Sequence, residues 1–276
     1  MVPQKSKAAY ALMPFINMMD FFNRITSICS EYLFPSGCSL CGAMLIEPDE
    51  ICNGLCESCG HSIQIEEGER CLFCGKPLIS ETGLCLDCRE INIEENDVEG
   101  QETSEKSGRR KKPAYDRLIS IFPYTGKYRE LLWAFKYGKS KGAARFFSEK
   151  IIEALEPFKS ENPVLIPVPP RPGKIRKTGW DQIKCLSKIL KRKAMYQISP
   201  CLVRLASDSQ KKLKEHERRV NLEGKIRLAA GVAKTAPGFC VIFDDVITTG
   251  STMNACACAL KAAGAGQVYG ISLVYD

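Results

Sequence analysis

The densest chemistry in the chain lies in Val241–Thr252, which reads VIFDDVITTGST. An apolar strand runs into two acids, and small hydroxyl residues around a glycine follow. The amides and hydroxyls of Thr248, Thr249, Gly250, Ser251 and Thr252 suit the oxygens of a phosphate. A helix opening at Ser251 adds free N–H groups and the positive end of its dipole. Asp244 and Asp245 would repel a bare phosphate. They suit a ligand that also offers hydroxyls or brings Mg²⁺, and a ribose 5-phosphate does both. The loop lacks the Gly-Lys-Ser/Thr ending of a P-loop. Gly264-Ala265-Gly266 closes a helix instead of opening one, so it is no dinucleotide fingerprint.

A second chemistry is written in cysteine. Four Cys-x-x-Cys knuckles occur within residues 38–88: Cys38/Cys41, Cys56/Cys59, Cys71/Cys74 and Cys85/Cys88. Each knuckle turns two thiolates toward one point, and two knuckles complete a tetrahedral sulfur cage of the kind zinc prefers. With every position filled by protein, two structural zinc ions are expected. The spacing fits a sequential pairing of knuckles and equally an interleaved cross-brace, and Cys52 is a substitute ligand in either. A disulfide scaffold is disfavoured by the odd total of 15 cysteines and by the lack of an export signal. Redox Cys-x-x-Cys motifs come singly.

These residues need elements to hold them. From Tyr115 onward strands and helices alternate. Strands are read at Leu118–Tyr124, Val164–Pro170, Phe239–Asp245 and Gln267–Tyr275, and helices after Gly126, around Phe146–Leu155, around Ile183–Leu190 and from Ser251. This is an α/β pattern, a parallel sheet flanked by helices, in which ligands bind beyond the carboxyl ends of the strands. The expected domains are an amphipathic N-terminal helix (residues 1–34), a Cys-rich zinc module (35–91), a polar flexible linker (92–114) and the α/β domain (115–276).

Composition supports this division. With 45% hydrophobic and 26% charged residues, the 276-residue chain is neither disordered nor fibrous. Residues 1–91 carry 6 Lys and Arg against 12 Asp and Glu, whereas residues 113–276 carry 28 against 14. The basic half expects anionic partners. No run of 18 apolar residues is present, so the chain is peripheral to a membrane at most. Phe15, Met18, Phe22, Ile25, Cys29 and Tyr32 line one helix face, and the face opposite has almost no positive charge, which favours docking on protein over anionic lipid. Without a cleavable export signal, the expected compartment is the cytoplasm.

Val241–Thr252 resembles the motif that binds phosphoribosyl pyrophosphate (PRPP) in type I phosphoribosyltransferases. The rest of the chain resembles the ComF-type competence proteins. Tyr124–Lys139, Ile166–Gln182 and Ser209–Leu222 stand where that family has its motifs, and the paired knuckles precede them. Trp180-Asp181-Gln182 stands where Phe-Asn-Gln is usual, and the linker is longer than the family's. The resemblance implies that Asp244 and Asp245 hold the ribose hydroxyls and that Thr248–Thr252 hold the 5-phosphate. It implies that Arg171, Lys174 and Arg176 face the pyrophosphate, with Mg²⁺ accompanying the ligand. Gln210, Lys211, Lys212, Arg218 and Arg219 would close over the site.

Two functional classes follow. One is a PRPP-dependent phosphoribosyltransferase with an unassigned acceptor. The other is a binding module for DNA uptake in natural transformation, its basic domain tracking single-stranded DNA while Tyr128, Trp133, Phe135 and Tyr137 offer stacking surfaces. A third, weaker reading makes the zinc module a docking platform for a competence helicase.

Overall fold

The computed structural model describes residues 37–63, 71, 75–78, 83–86, 88, 89, 112–205, 224–230 and 238–276. The amphipathic segment 1–34, most of the linker, Cys74 and the Ser209–Leu222 motif lie outside the described residues. The strands are β1 (Arg117–Pro123), β2 (Val164–Pro167), β3 (Leu202–Arg204), β4 (Ile226–Leu228), β5 (Phe239–Ile247) and β6 (Gln267–Tyr275). The helices are α1 (Pro48–Asn53), α2 (Glu57–His61), α3 (Gly126–Lys136), α4 (Lys141–Leu155), α5 (Lys174–Thr178), α6 (Gln182–Lys193) and α7 (Ser251–Ala262).

The main sheet is wholly parallel, in the order β1-β6-β5-β2. Its central strands are buried on both sides, which explains their almost unbroken apolar sequence. Along β5, Val241 and Phe243 join a core with Phe135 of α3, Phe147 of α4 and Leu186 of α6. Cys240 and Ile242 join a second core with Met253 and Cys256 of α7 and with Leu202 and Ile226 of the ribbon. The ribbon is the antiparallel pair β3–β4. Helices α3, α4 and α6 therefore cover one face, called here the front, and α7 with the ribbon covers the back.

Neighbouring strands β2 and β5 send their chains to opposite faces. The chain leaving β2 passes to α6 on the front, and the chain leaving β5 passes to α7 on the back. Such a switch point opens a crevice at the carboxyl ends of the two strands, where α/β folds bind ligands. The Val241–Thr252 motif lies at this crevice.

The first cysteine pair-of-knuckles is packed onto the front layer. Leu45, Leu55 and Ile63 bury themselves in the same core as Leu131, Phe135 and Phe147. Ser39 Oγ lies 2.9 Å from Ser140 Oγ, and Ser140 caps α4 by accepting from the Ala143 N–H at 3.1 Å. Gly54, at φ +71°, presses its backbone on Gly142 in the first turn of α4, and a Cβ there would stand 2.3 Å from Gly142 Cα. Gly75 does the same at the sheet. Also at φ +71°, it lies against β1, where a Cβ would meet Ser120 N at 2.8 Å. The turn of the third knuckle thus lies against the outer edge strand, as a cover that keeps such an edge from pairing with another chain. Gly37–Asp276 behaves as one compact unit.

Candidate functional site

The metal centres come first in the chain. Sγ atoms of Cys38, Cys41, Cys56 and Cys59 all lie within 4.8 Å of one another, with Cys41 and Cys56 at 3.6 Å. A tetrahedral zinc with Zn–S near 2.3 Å separates its sulfurs by roughly 3.8 Å, so the set fits zinc in distance, number and softness. Burial would push the Cys38 thiol up, but the N–H groups of Cys41, Cys56 and Leu40 hold it down at about 6. Burial and the neighbouring thiols push Cys59 up to about 12. Four thiols at one point repel as thiolates, and a divalent cation relieves that repulsion. Knuckles one and two therefore pair in sequence. Cys52 is exposed and stands outside the group. Cys71, Cys85 and Cys88 form a second group within 4.8 Å, and its fourth expected ligand, Cys74, lies outside the described residues. Both groups are built from structural-zinc chemistry, with no position left for substrate in the complete one.

The second site is the crevice. Sequence reading ended the strand at the acids, but β5 continues through them to Ile247. Successive side chains on a strand point to opposite faces, so Asp244 and Asp245 part company. Asp245 belongs to the front. Its Oδ2 accepts from Gln182 Nε2 at 2.5 Å and sits 3.0 Å from Lys136 Nζ, and the residue is 7% exposed. Lys136 ends α3. Gln182 opens α6 directly after its cap, Asp181, whose side chain accepts from the Lys184 N–H at 3.0 Å. Both residues fall inside segments singled out in the sequence, but neither was assigned a role. Only the fold brings them to Asp245.

Asp244 belongs to the back. It accepts the Asp245 N–H at 2.8 Å through Oδ1. Solvent reaches one edge of it, yet enclosure by protein and the adjacent Asp245 carboxylate push its pKa up to about 8. A carboxyl in this state waits for a cation or for hydroxyl donors.

Beyond the acids, Thr248 and Thr249 are exposed and Gly250 caps α7 at φ +73°. Thr249 Oγ1 and Ser251 Oγ lie 2.7 Å apart. The hydroxyls of the loop thus converge at the amino end of a 12-residue helix. On the neighbouring strand, the Val168 N–H bonds Phe243 O at 3.1 Å, which fixes the start of the Pro-rich loop that leads to Arg171. Arg171 is exposed. Lys174 and Arg176 lie two residues apart on α5 and so occupy different sides of that short helix. A basic residue absent from the sequence reading, Arg204 of β3, comes within electrostatic reach of Arg171 and Asp244. No sequence signal marked the ribbon, because its strands have three residues each.

Residues 29–89 match the family described as double zinc ribbon domain. The chain is 25% identical over 229 residues to "Competence protein F" of Haemophilus influenzae, covering 80% of this chain and 90% of that protein. It is 24% identical over 248 residues to "Competence protein ComFC" of Streptococcus pneumoniae, covering 86% of this chain and 99% of that one. Among solved structures it is similar to the hypoxanthine-guanine phosphoribosyl transferase of L. donovani at 14% identity, over 52% of this chain and 67% of that one, with a TM-score of 0.29. No helix among the described residues is long and apolar enough to cross a membrane. The double zinc ribbon, and similarity along at least 80% of the chain to two competence proteins, support a ComF family protein.

Proposed function

We propose that the crevice at the carboxyl ends of β2 and β5 is a phosphoribosyltransferase site that binds PRPP with Mg²⁺, and that the protein serves DNA uptake in the cytoplasm. The observation that carries this reading is the pairing of two unlike groups at one switch point. A hydroxyl-rich loop heads α7, and a carboxyl with a raised pKa lies four residues before that loop begins. The loop offers neutral donors to the 5-phosphate. Asp244 offers an acceptor to the ribose hydroxyls, and with Mg²⁺ bound nearby its carboxylate would be held ionised. Asp245, already held by Lys136 and Gln182, stiffens the strand beneath the sugar. Cations on the β2 loop suit a pyrophosphate leaving group, which gains negative charge as the glycosidic bond breaks. Zinc–thiolate ribbons suit a reducing compartment.

Calorimetric titration with PRPP and Mg²⁺ tests the reading. At pH 7 Asp244 starts mostly protonated, so binding should release up to about one proton, seen as a dependence of the heat on the buffer's ionisation enthalpy. Asp244→Ala should weaken PRPP more than tenfold and leave inorganic phosphate binding equal or stronger. Unchanged PRPP affinity in that variant would show that the carboxyl does not read ribose.

A second reading, single-stranded DNA on a basic face, is favoured by one exposed pair. Trp133 on α3 and Tyr137, the residue that caps its end, stand 55% and 74% exposed, edge to face at 5.7 Å, with the indole N–H bonded to Tyr124 Oη at 2.9 Å. Phe135 is buried, and Tyr128 stacks on Phe122 at 4.7 Å. Only the first two offer a free stacking surface for bases. Trp133→Ala should weaken single-stranded DNA at low salt without touching PRPP.

A further inference from the structure

The three residues that lead into β1 are fastened to α7, and the first of them, Ala114, falls in the stretch the sequence assigns to the linker. The Ala114 N–H donates to Asn254 Oδ1, in the first turn of α7, at 2.7 Å. The Asp116 carboxylate accepts from Lys261 Nζ, in the last turn of the same helix, at 2.8 Å, and from the Val268 N–H of β6 at 2.7 Å. Tyr115 lies between these two anchors. It is buried in the back core with Ile247 and Met253.

The side chain of Tyr115 ends at Gly250, the residue that caps α7 at φ +73°. A Cβ on Gly250 would stand 3.3 Å from Tyr115 Oη and 3.8 Å from Ile247 Cδ1. The phenol oxygen therefore faces the Gly250 α-carbon from inside the protein. Gly250 has no side chain with which to cap the helix, and a glycine in this conformation has the widest backbone freedom of any residue. It is the soft point of the phosphate loop. Its carbonyl accepts from the Asn254 N–H at 2.8 Å. Asn254 thus holds the loop with its backbone and the lead-in segment with its side chain. Thr248 and Thr249 are exposed, so the buried Tyr115 is the brace that reaches the loop from the core. Neutral N–H and hydroxyl donors hold a phosphate well only if they are aligned before it arrives. A loop that the ligand must first order binds it more weakly.

We propose that Tyr115 is a positioning residue of the phosphate loop: its hydroxyl, seated against Gly250 and fixed there by the Ala114 and Asp116 anchors on α7, keeps the Gly250 and Ser251 amides aligned for the 5-phosphate. This rests on the PRPP reading of the crevice. The lead-in to β1 is then part of the binding site and not the end of a linker. Removing the phenol oxygen frees Gly250 but leaves the ring in its place in the core, so its effects on binding and on stability separate.

The test is Tyr115→Phe in the full chain, titrated calorimetrically with PRPP and with ribose 5-phosphate, each with Mg²⁺, beside thermal denaturation and amide NMR. The variant should weaken both ligands by the same factor, about fivefold, because both carry the 5-phosphate. Its Tm should stay within about 3 °C of the parent. In the ligand-free protein the amide signals of Gly250 and Ser251 should shift or broaden, while those of β2 stay in place. Asn254→Ala releases Ala114 and puts a good helix former in α7. It should weaken both ligands in the same direction by a smaller factor, and it decides the matter if the Phe variant folds poorly. Unchanged affinity for both ligands, or unmoved Gly250 and Ser251 signals, overturns the positioning role. A parent that binds PRPP no better than the Phe variant keeps the PRPP reading and sinks this one. A parent that binds ribose 5-phosphate through Tyr115 but PRPP no more tightly does the reverse. A parent that binds neither ligand overturns both.

Discussion

Two acids adjacent in the chain end up in opposite circumstances, and the two faces of the sheet differ in the same way. On the front, Asp245 is matched by Lys136 of α3 and Gln182 of α6, and α4, which packs on both of those helices, is braced by the first cysteine cluster through Ser140 and Gly142. Charge there is satisfied by the protein. On the back, Asp244 carries a raised pKa, and burial and the charge of Arg171 hold the Arg204 guanidinium below its ordinary range. Charge there is left for a ligand to satisfy. A front that is complete without ligand can hold the strand end rigid. A back that is incomplete without ligand can gain specific interactions on binding. The zinc ribbon belongs to the first of these functions.

The largest effect should come from breaking the front at its metal. Structural zinc in small modules is worth on the order of 10 kcal/mol to folding. Because Leu45, Leu55 and Ile63 share the core of α3 and α4, Cys38→Ser should destabilise the sheet domain as well as the ribbon. Hydrogen exchange should show lost protection in α4, and metal analysis should fall from two zinc ions per chain to one. A variant whose α4 stays fully protected would make the ribbon an appendage and end the contrast drawn between the faces.

Next in size is the cation of the front. Lys136→Met leaves Asp245 enclosed with only Gln182 as partner. Removing one member of a buried pair costs on the order of 3 kcal/mol, which for a chain of this size lowers Tm by roughly 6–12 °C. The loss should be smaller in Lys136→Met combined with Asp245→Asn, since no charge is then stranded.

On the back the sign reverses. An acid whose pKa rises from 3.8 unfolded to about 8 folded binds its proton more tightly in the native state. It therefore costs nothing below pH 4, and its cost grows as pH rises to about 8. Asp244→Asn should flatten that part of the stability profile and at pH 8 gain on the order of 1 kcal/mol, since partial exposure screens the full cost. Urea denaturation at pH 5 and pH 8 measures it. Parallel profiles for parent and variant would mean that Asp244 is not enclosed.

Sequence reading reached the residues that are contiguous in the chain and stopped at those that meet only in space. Cysteine spacing picked out every described member of the two thiol clusters, because a knuckle is a local device with a fixed span. The order of pairing needed coordinates, as did the seating of Gly54 on α4. The strand, the loop and the helix of Val241–Thr252 were legible for the same local reason. The divergence of the two acids was not, because reading the strand as ending at Asp245 hid the alternation that sends them to opposite faces. Lys136, Gln182 and Arg204 come from three separate elements, and nothing in their immediate sequence distinguishes them from surface polar residues.

The smallest effect sharpens the picture at the front's edge. Trp180 packs edge-on against Phe135 with ring centroids 6.2 Å apart, immediately before the cap of α6. Its indole Nε1 is buried and has no hydrogen-bond partner among the described residues. Leaving such a donor unmatched costs about 1–3 kcal/mol. Phenylalanine, the residue usual at this place in the resembling family, keeps the aromatic contact and drops the donor. It also gives up part of the ring's buried area, worth roughly 25 cal/mol per Å². The two terms oppose each other and nearly cancel, so Trp180→Phe should change stability by less than about 1 kcal/mol. PRPP affinity should be unmoved, since Gln182 keeps its place beside Asp245. A loss of 2 kcal/mol or more in denaturation would mean that the indole N–H is paired after all, and that the front is tied together by one more bond than its described residues display.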